Sequence, residues 1–311
     1  VDLLPALTET WQSGEALARR LGKTRQAVAK AASRLAAEGF PIERGKQGYR
    51  LAPGTPAPQN LGPRLKGRFG RPYRYLGTVT STQDELRNLA EAGAPEGAVV
   101  LAEVQTAGRG RRGRRWESPG SGLYFSLLLR PRSPLSALAL LPLAAGVALA
   151  RAAGVGGLKW PNDLVVPLSG EEESAWAKLG GILLEADILG EEIRYALLGV
   201  GLNVAEAGLP QGAAGLARFF PGLRRDVLLA RLLFELERAY ALLDDPEALL
   251  SAYEVHSLTL SRRVEVRWVG GVVEGVAEAV LPDGALKVRS GRRGRVVTAG
   301  DVSLVGGLPR V

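Results

Sequence analysis

"QTAGRGRRGRRWESPGSGLYFS", residues 105–126, places five arginines within the seven positions 109 to 115 and sets glycines among them. Apolar runs stand on either side, "AVVLAEV" (98–104) and "GLYFSLLLR" (122–130), with the β-branched and aromatic content of buried strands. The stretch therefore reads as a loop tethered at both ends by a rigid sheet, a common position for functional residues. Three uses fit its composition: a solvated basic loop, a nucleic-acid tether, or a clamp for reacting anions. Gly108, Gly110 and Gly113 would let the backbone approach an anion, and arginine forks match carboxylate and phosphate.

Further strands are expected at 72–76, 179–188 and 193–203, and helices at 82–92, 135–153 and 224–243. They lack a regular βαβ rhythm, which predicts an α+β domain with a mixed sheet layered on helices. The run "LSALALLPLAAGVALA" (135–150) falls short of the ~20 residues that span a bilayer and contains Pro142 and Gly146, so a buried core helix is expected. From about 259 the pattern becomes short alternating strands with a Pro-Asp-Gly turn, which predicts a small β-barrel.

Toward the N-terminus, Leu17 and Leu21 and then Val28, Ala32 and Leu35 form two apolar stripes separated by "LGK", a helix, a turn and a second helix capped by Thr24. Arg25, Gln26, Lys30 and Arg34 face outward from the second helix, and "FPIERGKQGYRL" (40–51), which carries Lys46, reads as a hairpin. Residues 1–52 hold nine basic and five acidic side chains, which suits DNA, although such modules also serve in protein contacts. "APGTPAPQNLGP" (52–63) reads as a linker or extended connector, and the acidic "SGEEES" (169–174) as an exposed loop tip.

The 311 residues suit two or three units, and a formal charge of +8 points to an anionic partner. With no cysteine and a single histidine, His256, thiolate and histidine-cluster metal sites and cysteine nucleophiles are excluded. Carboxylates, lysines, arginines and backbone amides are left to do any chemistry. The N-terminal residues lack a signal-peptide pattern, which predicts a cytoplasmic protein without membrane association.

Two further segments bear on the arginine loop. In "TVTSTQDELRNLAEAG" (78–93), Thr82 with Glu85 forms a capping-box pattern, which leaves Ser81 without an assigned partner. In "LKWPNDLVV" (158–166), Pro161, Asn162 and Asp163 are turn residues of a hairpin. Lys159 lies in an otherwise apolar strand, where an ammonium needs a paired anion.

With "GRGRRGRRW" (108–116), "KWPNDL" (159–164), "KLGGILLE" (178–185) and "GVGLN" (199–203) in that order, the chain closely resembles the bifunctional biotin protein ligases that double as biotin-operon repressors. The resemblance covers nearly the whole sequence. It implies a winged helix-turn-helix DNA-binding domain over 1–60, a central mixed-sheet, class II synthetase-like ligase domain over 61–258, and an SH3-like β-barrel over 259–311. It also implies ligation of biotin to a lysine of the biotin carboxyl carrier protein of acetyl-CoA carboxylase by way of biotinyl-5'-AMP, with ATP and Mg2+. Operator DNA and a homodimer promoted by the adenylate are the further partners.

Carried onto this sequence, the resemblance assigns Ser81, Thr82, Gln83 and Gln105 to biotin's ureido head, and Arg109, Gly110 and Arg111 to the loop that closes over biotin and the adenylate. Lys178 would reach the biotin carboxylate and the phosphate, with Gly181 allowing close approach. Lys159, Asn162 and Asp163 would meet the ATP phosphates, Asp163 also magnesium, and Arg112, Arg114, Trp116 and Asn203 the nucleotide side. Lys178, Lys159, Asp163 and Arg111 are the catalytic candidates, and Arg25, Gln26, Lys30, Arg34 and Lys46 the DNA contacts. Two departures are visible: Gln83 stands where asparagine is common, and "VVPLSGEEESAWA" (165–177) predicts an extended hairpin. Competing readings are a small-molecule-sensing regulator without ligase activity, a lipoate-type ligase, and an RNA tether.

Overall fold

The computed structural model describes residues 2–132, 134–167 and 176–305. In the N-terminal unit α1 (Gly14–Leu21) is capped by the Ser13 hydroxyl, which accepts from the Ala16 N–H, and ends at Gly22 in the left-handed region. Thr24 then caps α2 (Arg25–Ala37) by accepting from the Ala27 N–H, as expected. Leu17, Val28, Ala32 and Leu35 are buried on facing sides of the pair. The hairpin of β1 (Ile42–Gly45) and β2 (Gly48–Leu51) follows.

The connector is more structured than its composition predicts. Pro58 opens the short helix α3 (Pro58–Leu61), continued by a 3-10 turn to Arg64, and Thr55, Ala57 and Leu61 are fully buried. Pro at a first helical turn costs no hydrogen bond there. The polar anchors are distant in sequence: Glu9 Oε1 accepts from the Gly54 N–H and from Asn60 Nδ2, and Gln59 donates to the Leu4 and Leu7 carbonyls. Such long-range contacts leave no local periodicity.

The central sheet comprises β3 (Tyr73–Val79), β4 (Val99–Gln105), β5 (Leu123–Leu129), β6 (Gly157–Lys159), β7 (Asp163–Pro167), β8 (Trp176–Leu189) and β9 (Glu192–Leu202), in the order β3-β4-β5-β9-β8-β7-β6. Only β3 and β4 are parallel, joined through α4 (Thr82–Glu91), so the sheet is mixed as predicted. On one face Leu86 and Ala90 of α4 pack with Val100, Leu128, Tyr195 and Leu197. The other face is covered by α5 (Leu141–Ala153), α6 (Arg225–Ala241) and α7 (Pro246–His256). The apolar run at 135–153 begins as 3-10 turns and becomes α-helical at Leu141, where Pro142 fits the first turn. It is long and apolar enough to be considered as a membrane span. However, eleven of the thirteen α5 residues are buried within the protein, as a core helix requires. Residues 169–174, the expected acidic tip, lie outside the described residues, as does the whole link 168–175 between β7 and β8.

The C-terminal strands β10 (Arg263–Trp268), β11 (Gly271–Val280), β12 (Leu286–Ser290), β13 (Arg293–Val297) and β14 (Asp301–Leu304) form an antiparallel sheet in the order β13-β12-β11-β10-β14. Alternating residues Val264, Val266, Ala277 and Val288 fill its inner face. Trp160, 1% exposed, joins it to the central sheet: the indole donates to the Gly284 carbonyl (3.0 Å), and the Trp160 N–H donates to Thr259 Oγ1 (2.8 Å).

Candidate active site

The pocket lies where the ends of β4, β5, β8 and β9 meet the start of α4, beneath the arginine loop. Its polar end is built from neutral groups. Ser81, rather than Thr82, caps α4, its hydroxyl accepting from the Gln83 N–H (3.3 Å). This reverses the expected capping pattern and gives Ser81 its role. Thr82, one residue into the helix, donates from both its N–H and its hydroxyl to Gln105 Oε1 (2.9 and 3.1 Å) and shares a 2.8 Å bond with the Ser126 hydroxyl. Gln105 in turn donates to Ser118 (3.0 Å). Gln83 donates to the Leu197 carbonyl, which leaves its buried Oε1 without a partner. A buried acceptor left unpaired is costly unless a ligand satisfies it.

Trp116 forms one wall. Its indole lies against β8 and β9 because Gly181 and Gly201 have no side chains: a Cβ at Gly181 would stand 2.9 Å from Trp116 Cζ3, and one at Gly201 would collide with Trp116 Cε2. The Trp116 Nε1 is a second buried orphan. Lys178 Nζ sits 5.1 Å from the ring centroid, within cation–π range, and 2.7 Å from Asp163 Oδ1. Asn162 bridges β7 to β8, donating to the Ile182 carbonyl (2.9 Å) and accepting from that residue's N–H through its own carbonyl (3.0 Å). Its Oδ1 accepts from Arg111 (2.9 Å), which ties the loop to the hairpin.

The other loop arginines are held by carboxylates. Arg109 reaches Asp84 (2.8 Å) and Glu185 (3.1 Å), Arg112 and Arg114 both reach Asp301, and Arg115 faces Glu117. Arg111 differs, because burial lowers its guanidinium below the ordinary arginine range and Asp301 and Asp163 act only from a distance. Its bonded partner is a neutral amide, so an arriving anion would find its charge uncompensated. At Arg109, by contrast, hydrogen bonds to Glu185 and Asp84 outweigh burial and raise the value.

Of the residues implied by the resemblance, Ser81, Thr82, Gln83, Gln105, Arg109, Gly110, Arg111, Arg114, Trp116, Asn162, Asp163, Lys178 and Gly181 all line this pocket. Three stand outside it. Lys159 lies 3.7 Å from Asp163, the anion its place in an apolar strand requires. Asn203 is buried behind the wall, donating to the Lys178 carbonyl (3.1 Å), and Arg112 turns to the C-terminal sheet. Asp84, Ser118, Ser126 and Asp301 carry no signal in spacing or motif, whereas Glu185 and Gly201 belong to "KLGGILLE" and "GVGLN".

The sequence profile of the biotin/lipoate A/B protein ligase family matches residues 76–203, from β3 to the residue after β9. The bifunctional ligase/repressor BirA of Escherichia coli is 31% identical over 314 residues, 94% of this chain and 93% of its own length. This chain belongs to the biotin/lipoate A/B protein ligase family. A second member, the biotin–(acetyl-CoA-carboxylase) ligase of Mycobacterium tuberculosis, is 35% identical over 75% of this chain and 90% of its own length. The bifunctional ligase/repressor BirA of Bacillus spizizenii is 36% identical, but the match spans only 63% of that protein. Among solved members of the family, the biotin protein ligase of Aquifex aeolicus, bound to biotin and ATP, superposes with a TM-score of 0.59 at 26% identity, over 76% of this chain and all of its own.

Among the described residues no group of three His, Asp or Glu side chains is placed to hold a metal, and Asp163 is the only carboxylate lining the pocket. That donor set fits magnesium held by one carboxylate together with substrate phosphates and water, as that ion prefers.

Proposed function

We propose that this protein is an ATP-dependent biotin protein ligase that makes biotinyl-5'-AMP and transfers the biotinyl group to a lysine of the biotin carboxyl carrier domain of acetyl-CoA carboxylase. The observation that carries this reading is the division of one pocket into a neutral end with the orphaned Gln83 Oε1 and a cationic end with Lys178 and Arg111. A ureido ring offers N–H donors to the first, and a carboxylate beside a phosphate matches the second. The family's ligases and the relative bound to biotin and ATP support the same assignment.

A carboxylate and a triphosphate repel each other, so their reaction depends on cations already in place. Lys178 and Arg111 hold the biotin carboxylate and the α-phosphate together. A carboxylate oxygen bonds to that phosphorus, the bond to the β-phosphate oxygen breaks, and pyrophosphate leaves. Magnesium at Asp163 would offset charge on the phosphate oxygens. The arginine loop then covers the mixed anhydride against water. In the second step a neutral lysine amine of the carrier bonds to the acyl carbon, the bond to the phosphate oxygen breaks, AMP leaves and the amine loses its proton.

The N-terminal unit is read as a winged helix-turn-helix that binds operator DNA, and the C-terminal sheet as an SH3-like barrel. Arg25, Gln26, Lys30, Arg34 and Lys46 are all exposed, and a groove lined by Arg25, Gln26, Arg44 and Lys46 runs between α2 and the hairpin. The Escherichia coli relative, a ligase/repressor by name, matches through nearly the whole chain. Dimerisation promoted by biotinyl-5'-AMP would couple the two activities.

Incubation with ATP, biotin and a carrier domain is expected to give biotinylated carrier with one AMP and one pyrophosphate per transfer, and lipoate should compete poorly. Biotin-responsive DNA binding without any transfer would instead make the protein a sensor.

A further inference from the structure

Among the described residues, the only carboxylate that Arg112 and Arg114 meet lies 187 or more residues away in sequence, on another sheet. Asp301 opens β14 opposite Arg267 of β10, yet Arg267 turns to Glu265. Asp301 is thus left for the loop: Oδ2 accepts from Arg112 (2.9 Å) and Oδ1 from Arg114 (2.8 Å), one oxygen for each guanidinium. Between these arginines the chain makes a tight turn. Arg112 adopts φ 56 and ψ 37, a left-handed conformation disfavoured for a residue with a side chain and kept only where the surroundings impose it. The same C-terminal sheet also holds the opposite side of the pocket, since Gly284 and Thr259 bind Trp160 at the root of the Asn162–Asp163 hairpin.

We infer that Asp301 is a positioning residue of the active site: it latches the arginine loop shut through Arg112 and Arg114, so that the C-terminal sheet controls how long the pocket stays covered. Arg112 and Arg114 thereby serve as the loop's handles, and the adjoining Arg111 is aimed at Asn162. The kinetic consequence rests on the ligase reading given above, because it concerns how long biotinyl-5'-AMP is retained; the structural consequence does not.

The test has two arms on the full-length protein. In the absence of any ligand, hydrogen–deuterium exchange over residues 106–122 should be about three- to tenfold faster in Asp301→Asn than in the wild type, the loss expected of two half-exposed charge-assisted bonds. Asp301→Glu should restore most of the protection. Arg112→Gln/Arg114→Gln should match Asp301→Asn, and combining all three should add nothing further. In the second arm, dissociation of biotinyl-5'-AMP from Asp301→Asn should accelerate by a similar factor, while single-turnover adenylate formation falls by less.

Unchanged exchange in Asp301→Asn, or additive effects in the triple variant, would overturn the latch. So would a normal adenylate lifetime in Asp301→Asn alongside lost adenylate synthesis in the arginine pair, which would mean that those arginines touch substrate. If the wild type forms no adenylate, the ligase reading fails and the exchange arm alone decides the latch.

Discussion

On the floor of the pocket Ser81, Thr82, Gln105, Ser118 and Ser126 exchange neutral hydrogen bonds between α4, β4, β5 and the loop's end, whereas the roof is fixed by arginines paired with Asp84, Glu185 and Asp301. Ser81, Thr82 and Ser126 are buried, while the carboxylate of Asp301 is 42% exposed. A largely buried hydrogen-bonded network resists rearrangement. Exposed ion pairs are weak and screened by salt. The floor is therefore suited to hold one ligand in one orientation. The roof is suited to open, and its arginines can exchange protein carboxylates for the anions of a substrate.

Lys178 is the exception on the floor, a cation carried by a rigid strand, and it gives the largest expected effect. Lys178→Ala should slow adenylate formation by about 10²- to 10³-fold, the usual loss of one preorganised donor. Folding should be intact, because the side chain is 36% exposed. Pyrophosphate release measures the first and the thermal midpoint the second. Near-normal release would move the reacting charge from the floor to the roof.

A smaller effect tests the neutral network. Thr82→Val keeps the volume and the backbone N–H bond to Gln105 but removes the hydroxyl's bonds to Gln105 and Ser126, and should weaken biotin binding by about 1–3 kcal/mol. Titration calorimetry at low and high salt should give the same loss at both. The roof should respond otherwise, with the difference between Asp301→Asn and wild type shrinking as salt rises. Equal salt dependence at both sites would erase the distinction between them.

What the sequence disclosed follows the same division. The strands, the core helix and the four motifs were legible because they are local: hydrophobic runs, a glycine-arginine loop, a proline turn. Gly201 could be quoted within "GVGLN", but its reason, an indole laid against β9, depends on Trp116, 85 positions earlier in the chain. The sequence pattern points to Thr82 as the cap and leaves Ser81 without a partner, since either hydroxyl can cap a helix and only the position of Gln105 decides which one does. The connector at 52–63 looked loose because its partners, Glu9, Leu4 and Leu7, lie far away. Asp301 was invisible for the same reason, in a segment whose alternating pattern speaks only of a small barrel.

The smallest effect concerns acid. Partial burial raises the Asp301 carboxyl, but Arg114 and Arg112 more than reverse this and leave it below the ordinary aspartate value. A depressed carboxylate contributes its bonds fully above its unfolded value of about 3.9 and loses them as pH falls through its lower folded value. Arginine stays charged throughout. The Asp301 latch should therefore be indifferent to pH from about 8 down to about 5 and weaken only in more acidic solution. The serine, threonine and glutamine network has no group that titrates there. Exchange over 106–122, corrected for intrinsic rates and divided by that of β4, should stay flat and then climb by a few fold, and Asp301→Asn should start higher and climb less. A climb that begins near pH 6, present equally in Asp301→Asn, would put the roof under the control of a different group and separate it from the C-terminal sheet.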